Sequence, residues 1–372
     1  MGPYLLNDPD NRLVEVPSSF GVGTADGLAR LYGILANGEE LNGKTIMSIG
    51  KSFGHSGAGG QECWANPELK LGYGFVTNTP TLSIIETGKR YLLLRKSVYD
   101  CVQNLVVKGL LSNSRVLGYI RLTAYIVYYR EHYLSGIEPS QGGSAFVVYH
   151  KGKKVVDIWG GYADKQSHRP WKQDTLANVY STGKGVAAIC IGMLVDRGLL
   201  SYDEKVVKYW PEFGKHGKEN VTVKMLVSHQ AAIPFPNETL TWDIFRDHEK
   251  LAGVLADSVP QWEIGTGHGY HTMTMASFCS VLVYKVDPKH RTLGQFVHDE
   301  LYVPFGIDIH FGLPKELFHR VARMEEPKYT ASQWVELVQN PLLRAFFLGS
   351  LRGEESIWNK VIRNMGELSD VS

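Results

Sequence analysis

The feature that most constrains the fold is an apolar helix that begins at a serine and a lysine. Ser181-Thr-Gly-Lys184 opens the stretch "STGKGVAAICIGMLV", in which apolar residues such as Val186 and Ile189 recur at helical spacing up to Gly198. Residues three apart share a helical face, so the serine and lysine side chains are within reach of each other. The helix N-terminus favours an alkoxide and an uncharged lysine. A lysine kept neutral by burial can remove the serine proton.

The Ser-x-x-Lys pattern is short, so an ordinary interpretation stands beside the chemical one. A second copy, Ser48-Ile-Gly-Lys51, is followed by no predicted helix and is interpreted as a coincidence. For Ser181 the ordinary interpretation is a helix N-cap, with Lys184 solvated one turn later. The pattern alone leaves both interpretations of Ser181 open.

Another serine, Ser56, lies in the glycine-rich stretch "FGHSGAGG" at residues 53–60. A serine between glycines is typical of the nucleophile elbow of α/β-hydrolases, which needs a buried strand before it and a helix after it. Upstream only Ile46, Met47 and Ile49 are apolar, and the polar stretch "NPELK" follows downstream. Ser56 is therefore not predicted to be the nucleophile.

The rest of the chain predicts a mixed α/β protein of the α+β type. Predicted helices cover residues 24–38, 91–105 and 272–286, and the C-terminal region, where Trp334, Leu337 and Val338 indicate a buried face. Predicted strands cover residues 51–60 and 71–78, joined by a polar loop at 61–70, and a hairpin at 144–159 with its turn at Lys151-Gly152.

Composition excludes several functions before any site is considered. The 372 residues carry 39 Lys and Arg against 38 Asp and Glu, a balance that favours neither nucleic acid nor a membrane surface. No apolar stretch reaches the ~20 residues of a membrane span, and the N-terminus lacks the pattern of a secretory signal. The 4 cysteines form no Cys-x-x-Cys pair, which favours a reducing compartment. A soluble, cytoplasmic protein without nucleic-acid or membrane partners is expected.

Two cofactor hypotheses lack support in the sequence. His229, His268 and His271, together with His55, could suggest a metal site, but no acidic residue stands at a recognisable ligand spacing. The stretch "STGKG" lacks the upstream glycine of a phosphate-binding loop, so nucleotide binding is not predicted. Neither a metal nor another cofactor is expected.

Several segments together resemble the serine β-lactamase and penicillin-binding-protein superfamily, and most closely the class C β-lactamase-related esterases. These segments are "STGK", "LVSHQAAIP" at 226–234, "GTGHGYH" at 265–271, "WGGYAD" at 159–164 and "YWPEF" at 209–213. The resemblance implies that Ser181 is the nucleophile and that Lys184 is its base. Tyr270, in the place of the family's Tyr-x-Asn motif, is expected to stand beside them and to pass the proton to the leaving group, or to act as the base if it is the group held deprotonated. The sequence departs from the family at Ala232, usually a glycine, and at Thr272, in the place of the asparagine.

The resemblance also gives "FGHSGAGG" a place opposite the nucleophile. The third family motif, Lys-Thr-Gly or His-x-Gly, is a strand that lines the site, and His55-Ser56-Gly57 fits it. The implied oxyanion hole consists of the backbone N–H groups of Ser181 and Ala58. In the family this motif follows Ser-x-x-Lys, whereas here it precedes it.

That reversed order predicts a permuted chain. Residues 1–105 resemble the C-terminal third of the family domain, residues 131–372 resemble its N-terminal two-thirds, and residues 106–130 are expected to link them. The resemblance implies one β-lactamase-like domain, an antiparallel sheet flanked by helices with a mostly helical subdomain. The alternative is a homo-oligomer in which two chains exchange their first segments.

The activity implied by the resemblance is that of a serine hydrolase acting through an acyl-enzyme on small ester or amide substrates. His55 in the place of a lysine and Thr272 in the place of an asparagine favour uncharged esters or amides over penicillins. The alternative is a catalytically inactive or scaffold protein with the same fold, which a covalent serine probe would distinguish.

Overall fold

The computed structural model describes residues 7–38, 52–57, 60–79, 98–99, 142–326 and 359–361. In these residues α-helices are combined with antiparallel sheets, which confirms the predicted α+β class. The predicted linker at 106–130, almost all of the predicted C-terminal helical region and, apart from Val98 and Tyr99, the predicted helix at 91–105 lie outside the described residues.

The described α-helices are labelled in chain order. They are α1 Pro9–Arg12, α2 Ala25–Asn37, α3 Thr182–Asp196, α4 Val223–Val227, α5 Trp242–Arg246, α6 His248–Ala256, α7 Thr274–Val286, α8 Leu293–Val297 and α9 Val303–Phe305. Short 3₁₀ helices cover Val206–Lys208, Pro211–Gly214 and Lys315–Arg320, and a π-helical turn covers His298–Tyr302. The helices predicted at 24–38, 181–198 and 272–286 are confirmed as α2, α3 and α7.

The described strands are also labelled in chain order. They are β1 Val22–Gly23, β2 Phe53–Ser56, β3 Glu62–Asn66, β4 Leu71–Thr77, β5 Ser144–His150, β6 Lys153–Gly160, β7 Tyr162–Asp164, β8 Arg169–Pro170, β9 Ala177–Asn178 and β10 Ile309–His310. The strands β2 to β6 form a five-stranded sheet in sequence order, and each pairs antiparallel with the next. The predicted hairpin at 144–159 is confirmed as β5 and β6.

The chain divides into two compact units. The unit named here the sheet unit comprises Thr24–Ala177 and Arg320–Pro327. The other, named the helical unit, comprises Met1–Gly23, Asn178–His319 and Lys328–Ser372.

One prediction for the sheet unit is wrong: the polar stretch at 61–70 is not a loop throughout, because β3 occupies residues 62–66. The strand is formed because Cys63 and Ala65 alternate with larger residues, and both are fully buried on one face of the sheet. The turn is confined to the end of the stretch, where the Asn66 side chain accepts the Leu69 N–H at 3.0 Å. The few apolar side chains in this stretch conceal its period of two.

The central pairing of the sheet unit joins distant parts of the chain. Strand β4 pairs with β5 from Leu71↔His150 to Thr77↔Ser144. One face of the sheet carries an apolar cluster that includes Tyr73 and Phe146. Helix α2 packs on β4, beginning at Thr24, which accepts the Gly27 N–H at 2.9 Å, and ending at Gly38. The contact is so close that a Cβ atom on Gly72 would lie 2.2 Å from the Gly33 nitrogen.

The helical unit is built around α3 and α7, which pack against each other. Both helices are apolar on most faces, and Cys190 on α3 and Cys279 on α7 are buried free thiols. The aromatic residues Trp210, Phe213 and Phe278 extend this core, with ring centroids 5.1 to 6.4 Å apart. Strand β1 pairs antiparallel with β10. In the residues covered by the structure, no helix has the length and apolar character needed to cross a membrane.

Candidate active site

Ser181 occupies the N-cap position of α3, directly after a residue with left-handed backbone. Tyr180 has a φ of 47°, and its N–H donates to the Asn178 side chain at 2.9 Å, which fixes the turn. The Ser181 side chain makes no capping hydrogen bond to the helix backbone. The hydroxyl group is therefore not used to stabilise the helix end.

Lys184 lies in the first turn of α3, and its side chain is fully buried. Its Nζ atom is 2.9 Å from the Ser181 Oγ atom and 3.3 Å from the Ser18 carbonyl oxygen. Burial lowers the pKa of Lys184 from 10.5 to about 7, because an ammonium group is poorly solvated there. The interpretation of Lys184 as a solvated lysine beside an N-cap is therefore wrong.

Tyr270 brings a phenol to the same pair. Its ring centroid is 5.1 Å from the Lys184 Nζ atom. Burial raises the pKa of Tyr270 above 10, and a hydrogen bond to Ser181 opposes that rise. The ring is partly open to solvent, since 47% of the residue is exposed. The structure thus brings together Ser181, Lys184 and Tyr270, all in the helical unit.

Two loops hold Tyr270 by hydrogen bonds on both sides of its backbone. The Gly269 N–H donates to the His229 carbonyl at 3.1 Å, and the His271 N–H donates to the His229 Nδ1 atom at 3.2 Å. The His271 Nε2 atom accepts the Ile233 N–H at 3.0 Å. These bonds tie the loop at 265–271 to the loop at 228–234.

The N-terminal segment supplies the carbonyl group that contacts Lys184. The Ser18 hydroxyl donates to the Met273 carbonyl at 2.9 Å, which holds this segment beside α7. The Pro17 carbonyl oxygen would lie only 2.2 Å from a Cβ atom on Gly183, so the glycine of "STGK" permits a close backbone approach. No motif in the N-terminal segment predicts these contacts from the sequence. His229 likewise has no sequence signal beyond its place in "LVSHQAAIP".

The histidines do not form a metal cluster in the part of the chain that the structure describes. There, no group of three or more His, Cys, Asp or Glu side chains is arranged to hold a metal ion. Burial lowers the pKa of His271 to about 4, so it is a neutral acceptor. The His268 Nε2 atom lies 2.9 Å from the Gln230 side chain.

The residues predicted to face Ser181 belong to the sheet unit. His55 is on β2, where its Nδ1 atom is 2.6 Å from the Ser56 carbonyl oxygen, and Gly57 follows the strand. Ser56 is a strand residue, as predicted. Ala58 lies outside the described residues. The position of His55 and Gly57 opposite the nucleophile stays a prediction.

Residues 137–342 match the family model described as "Beta-lactamase". The match covers more than half of the chain, and the chain therefore belongs to the β-lactamase family. This agrees with the resemblance drawn from the motifs and with the observed combination of antiparallel sheet and helices.

The chain is similar to individual family members that are named as esterases or penicillin-binding proteins. It is 35% identical over 213 residues to a protein named esterase/beta-lactamase LipL, from Mycobacterium tuberculosis, a match covering 57% of this chain and 49% of LipL. The structure of a family VIII carboxylesterase is 38% identical, with a TM-score of 0.50, over 55% of this chain and 54% of its own. A penicillin-binding protein homologue from Caulobacter crescentus is 33% identical, with a TM-score of 0.51, over 56% and 55%. The chain thus spans about half the length of these relatives.

Proposed function

We propose that the chain is a serine hydrolase in which Ser181 forms an acyl-enzyme. The observation that carries the proposal is the 2.9 Å contact between the Ser181 Oγ atom and the Nζ atom of the fully buried Lys184. A lysine with a pKa of about 7 is uncharged in a large fraction of molecules at neutral pH and can accept a proton.

In the first step the Ser181 hydroxyl gives its proton to the neutral Lys184 amine while the Oγ atom attacks the carbonyl carbon of the substrate. The new C–O bond creates a tetrahedral oxyanion. Its collapse breaks the bond to the leaving alcohol or amine, which takes up the proton from the Lys184 ammonium. Water then attacks the acyl-enzyme in the same way, and the product is a carboxylic acid with Ser181 restored.

Tyr270 relays the proton between Lys184 and the leaving group. The position of its ring beside the Lys184 Nζ atom and its hydrogen bond with Ser181 support this role. The raised pKa of Tyr270 favours a protonated phenol at neutral pH, which supports Lys184 as the base rather than Tyr270.

Residues 1–105 and 131–372, linked by 106–130, form one catalytic domain in this proposal. The pairing of β4 with β5 supports it, because each segment contributes strands to the same sheet. His55 and Gly57 line the site, and the N–H groups of Ser181 and Ala58 bind the oxyanion, where one such donor is worth about 3 kcal/mol in the transition state. Exchange of residues 1–105 between two chains would instead give a stable dimer by light scattering.

The proposed substrates are small uncharged esters or amides, met in the cytoplasm. His55 and Thr272 stand where the lysine and asparagine of lactam-directed relatives are expected, so a substrate carboxylate or amide side chain has fewer partners. The similarity to a family VIII carboxylesterase supports esters as substrates, whereas the name esterase/beta-lactamase LipL covers both esters and lactams.

A fluorophosphonate probe tests the proposal. The wild-type protein should be labelled at Ser181 and should hydrolyse a short-chain p-nitrophenyl ester faster than the lactam nitrocefin. Ser181→Ala should abolish labelling and turnover, whereas Ser48→Ala, in the second copy of Ser-x-x-Lys, should leave both intact as the matched control. Labelling of the Ser181→Ala variant at the wild-type rate would overturn the assignment, and a folded wild-type protein without labelling would support the inactive scaffold.

A further inference from the structure

His229 holds Tyr270 through three separate contacts. Its carbonyl oxygen accepts the N–H before Tyr270, from Gly269, at 3.1 Å, and its Nδ1 atom accepts the N–H after Tyr270, from His271, at 3.2 Å. The His229 and Tyr270 ring centroids are 4.9 Å apart at an interplanar angle of 50°. One residue thus fixes the backbone on both sides of the phenol and contacts its ring.

The hydrogen bond to the Nδ1 atom also fixes the state of the His229 ring. A nitrogen that accepts a backbone N–H carries no proton, so the ring proton is on the Nε2 atom and the imidazole is neutral. The backbone of His229 is in the left-handed region, with a φ of 62°, where asparagine is tolerated better than most other residues. The hydrogen bond to the Nδ1 atom and the left-handed backbone together hold His229 in one orientation beside Tyr270.

The neighbouring His271 has a different task, which is to hold the loop in place. It is fully buried, and its ring accepts the Ile233 N–H at 3.0 Å and contacts the Gly269 carbonyl. Its ring centroid is 5.5 Å from that of His229. His271 therefore holds the loop at 265–271 against Ile233, and His229 fixes the backbone of that loop on both sides of Tyr270.

We propose that His229 is a positioning residue that holds the Tyr270 phenol against Ser181 for proton transfer. The inference rests on the proposed function, since it assigns His229 a task within the same site. The acceptor at Nδ1 matters most, because it fixes the backbone of the loop that carries Tyr270, and the ring contact is secondary. Small displacements of a proton relay lower the rate of the chemical step while substrate binding is retained.

Two substitutions separate the contacts of His229. His229→Asn keeps an oxygen acceptor near the place of the Nδ1 atom and suits the left-handed backbone, but it loses the ring. His229→Phe keeps a ring and loses the acceptor. His216→Phe is the matched control, since His216 is another histidine with left-handed backbone, a φ of 58°, on an exposed surface of the same unit.

The measurement is the hydrolysis of a p-nitrophenyl ester, with active sites counted by fluorophosphonate labelling so that misfolded protein is excluded. We expect kcat to fall about tenfold or more in His229→Phe with KM within about twofold, and to stay within about threefold of wild type in His229→Asn. The His216→Phe control should match wild type. A His229→Phe variant with wild-type kcat, or an Asn variant as slow as the Phe variant, would overturn the inference.

A double-mutant cycle decides whether His229 acts through Tyr270. In a Tyr270→Phe background the further change His229→Phe should cost less than about twofold, because the hydroxyl that it positions is already gone. A full tenfold cost in that background would refute the positioning role. Failure of the proposed function is distinguishable, because it would appear as activity that survives in Ser181→Ala, whatever the His229 variants show.

Discussion

Two lysines in the helical unit have fully buried side chains but different surroundings. The Lys184 Nζ atom contacts the Ser181 hydroxyl and one carbonyl oxygen, at 2.9 and 3.3 Å. The Lys218 Nζ atom donates to two carbonyl oxygens, those of Ala256 and Ser258, at 2.8 and 2.6 Å. The two buried lysines therefore differ in their partners: Lys184 contacts a reactive hydroxyl, whereas Lys218 contacts backbone acceptors.

The ends of the nearby helices reinforce this difference. Lys184 is in the first turn of α3, where the positive end of the helix dipole disfavours an ammonium group. Lys218 meets the last residue of α6, where the negative end favours one, and its Nζ atom is 5.3 Å from the Phe213 ring centroid. Burial lowers the pKa of Lys218 to about 8, and the nearby Asp257 carboxylate opposes the change. The surroundings of Lys184 therefore favour the neutral amine, whereas those of Lys218 favour the ammonium group.

The largest expected effect is that of Lys184→Met. Loss of the base should lower kcat/KM for a p-nitrophenyl ester by about 10³-fold. The free energy of unfolding in urea should fall less than in Lys218→Met, because only the Ser18 carbonyl, at 3.3 Å, loses its donor, and the cost of burying an amine is removed. A variant that keeps a tenth of the activity would show that Lys184 is not the base.

Tyr270→Phe should have the next largest effect. Removal of the phenol should lower kcat by about 10²-fold with little change in KM, because only the proton relay is lost. The Lys184 side chain should still be buried, so the pH dependence of the remaining activity should keep its midpoint near 7. Steady-state kinetics from pH 5.5 to 9 would measure both quantities, and a shifted midpoint would contradict the division of roles between Lys184 and Tyr270.

Lys218→Met should show the opposite pattern to Lys184→Met. Two buried carbonyl groups lose their donor, which should lower the free energy of unfolding by about 2–4 kcal/mol, with kcat per labelled site unchanged. The control is Lys215→Met, which breaks an exposed 2.6 Å ion pair with Asp257 and should change the free energy of unfolding much less, because exposed ion pairs are screened by solvent. Urea denaturation of the three proteins measures the difference, and equal costs for the two variants would remove the structural role of Lys218.

The last expected effect is a dependence of stability on pH. The folded-state pKa of Lys184, about 7, and that of Lys218, about 8, both lie below the unfolded value of 10.5. Between these limits the unfolded chain binds more protons, so stability should increase as pH rises from about 7 to 10.5. Below pH 7, activity should fall about tenfold per pH unit, because Lys184 becomes charged and can no longer accept the serine proton. Lys184→Met should reduce the slope of stability against pH, and an unchanged slope would show that its pKa is not depressed.

The sequence predicts those parts of the molecule that local pattern determines. The helices α2, α3 and α7 and the hairpin of β5 and β6 follow from periodicity and turn residues, and the contact of Ser181 with Lys184 follows from helical spacing. The sequence does not predict strand β3, because its buried face carries only the small residues Cys63 and Ala65 and so lacks the alternation of large apolar residues that is typical of a strand.

Contacts between distant segments are the part that sequence patterns do not predict. The Ser18 carbonyl reaches Lys184 across 166 positions of the chain, and the burial of Lys218 depends on carbonyl groups 38 and 40 positions away. The role of His229 depends on a left-handed backbone and on hydrogen bonds from the loop that carries Gly269 and His271, the latter 42 positions later. Such geometry arises only when the whole unit has folded.

The pairing of β4 with β5 has a consequence for synthesis on the ribosome. Residues 71–77 are made first, and at 5–20 residues per second their partner strand follows after roughly 70 further residues, a delay of about 3–14 seconds. During that delay one side of β4 has backbone groups with no strand beside them, next to apolar side chains such as Tyr73 and Phe75. The nascent chain therefore passes through a period in which chaperone capture and association with neighbouring nascent chains compete with correct completion of the sheet.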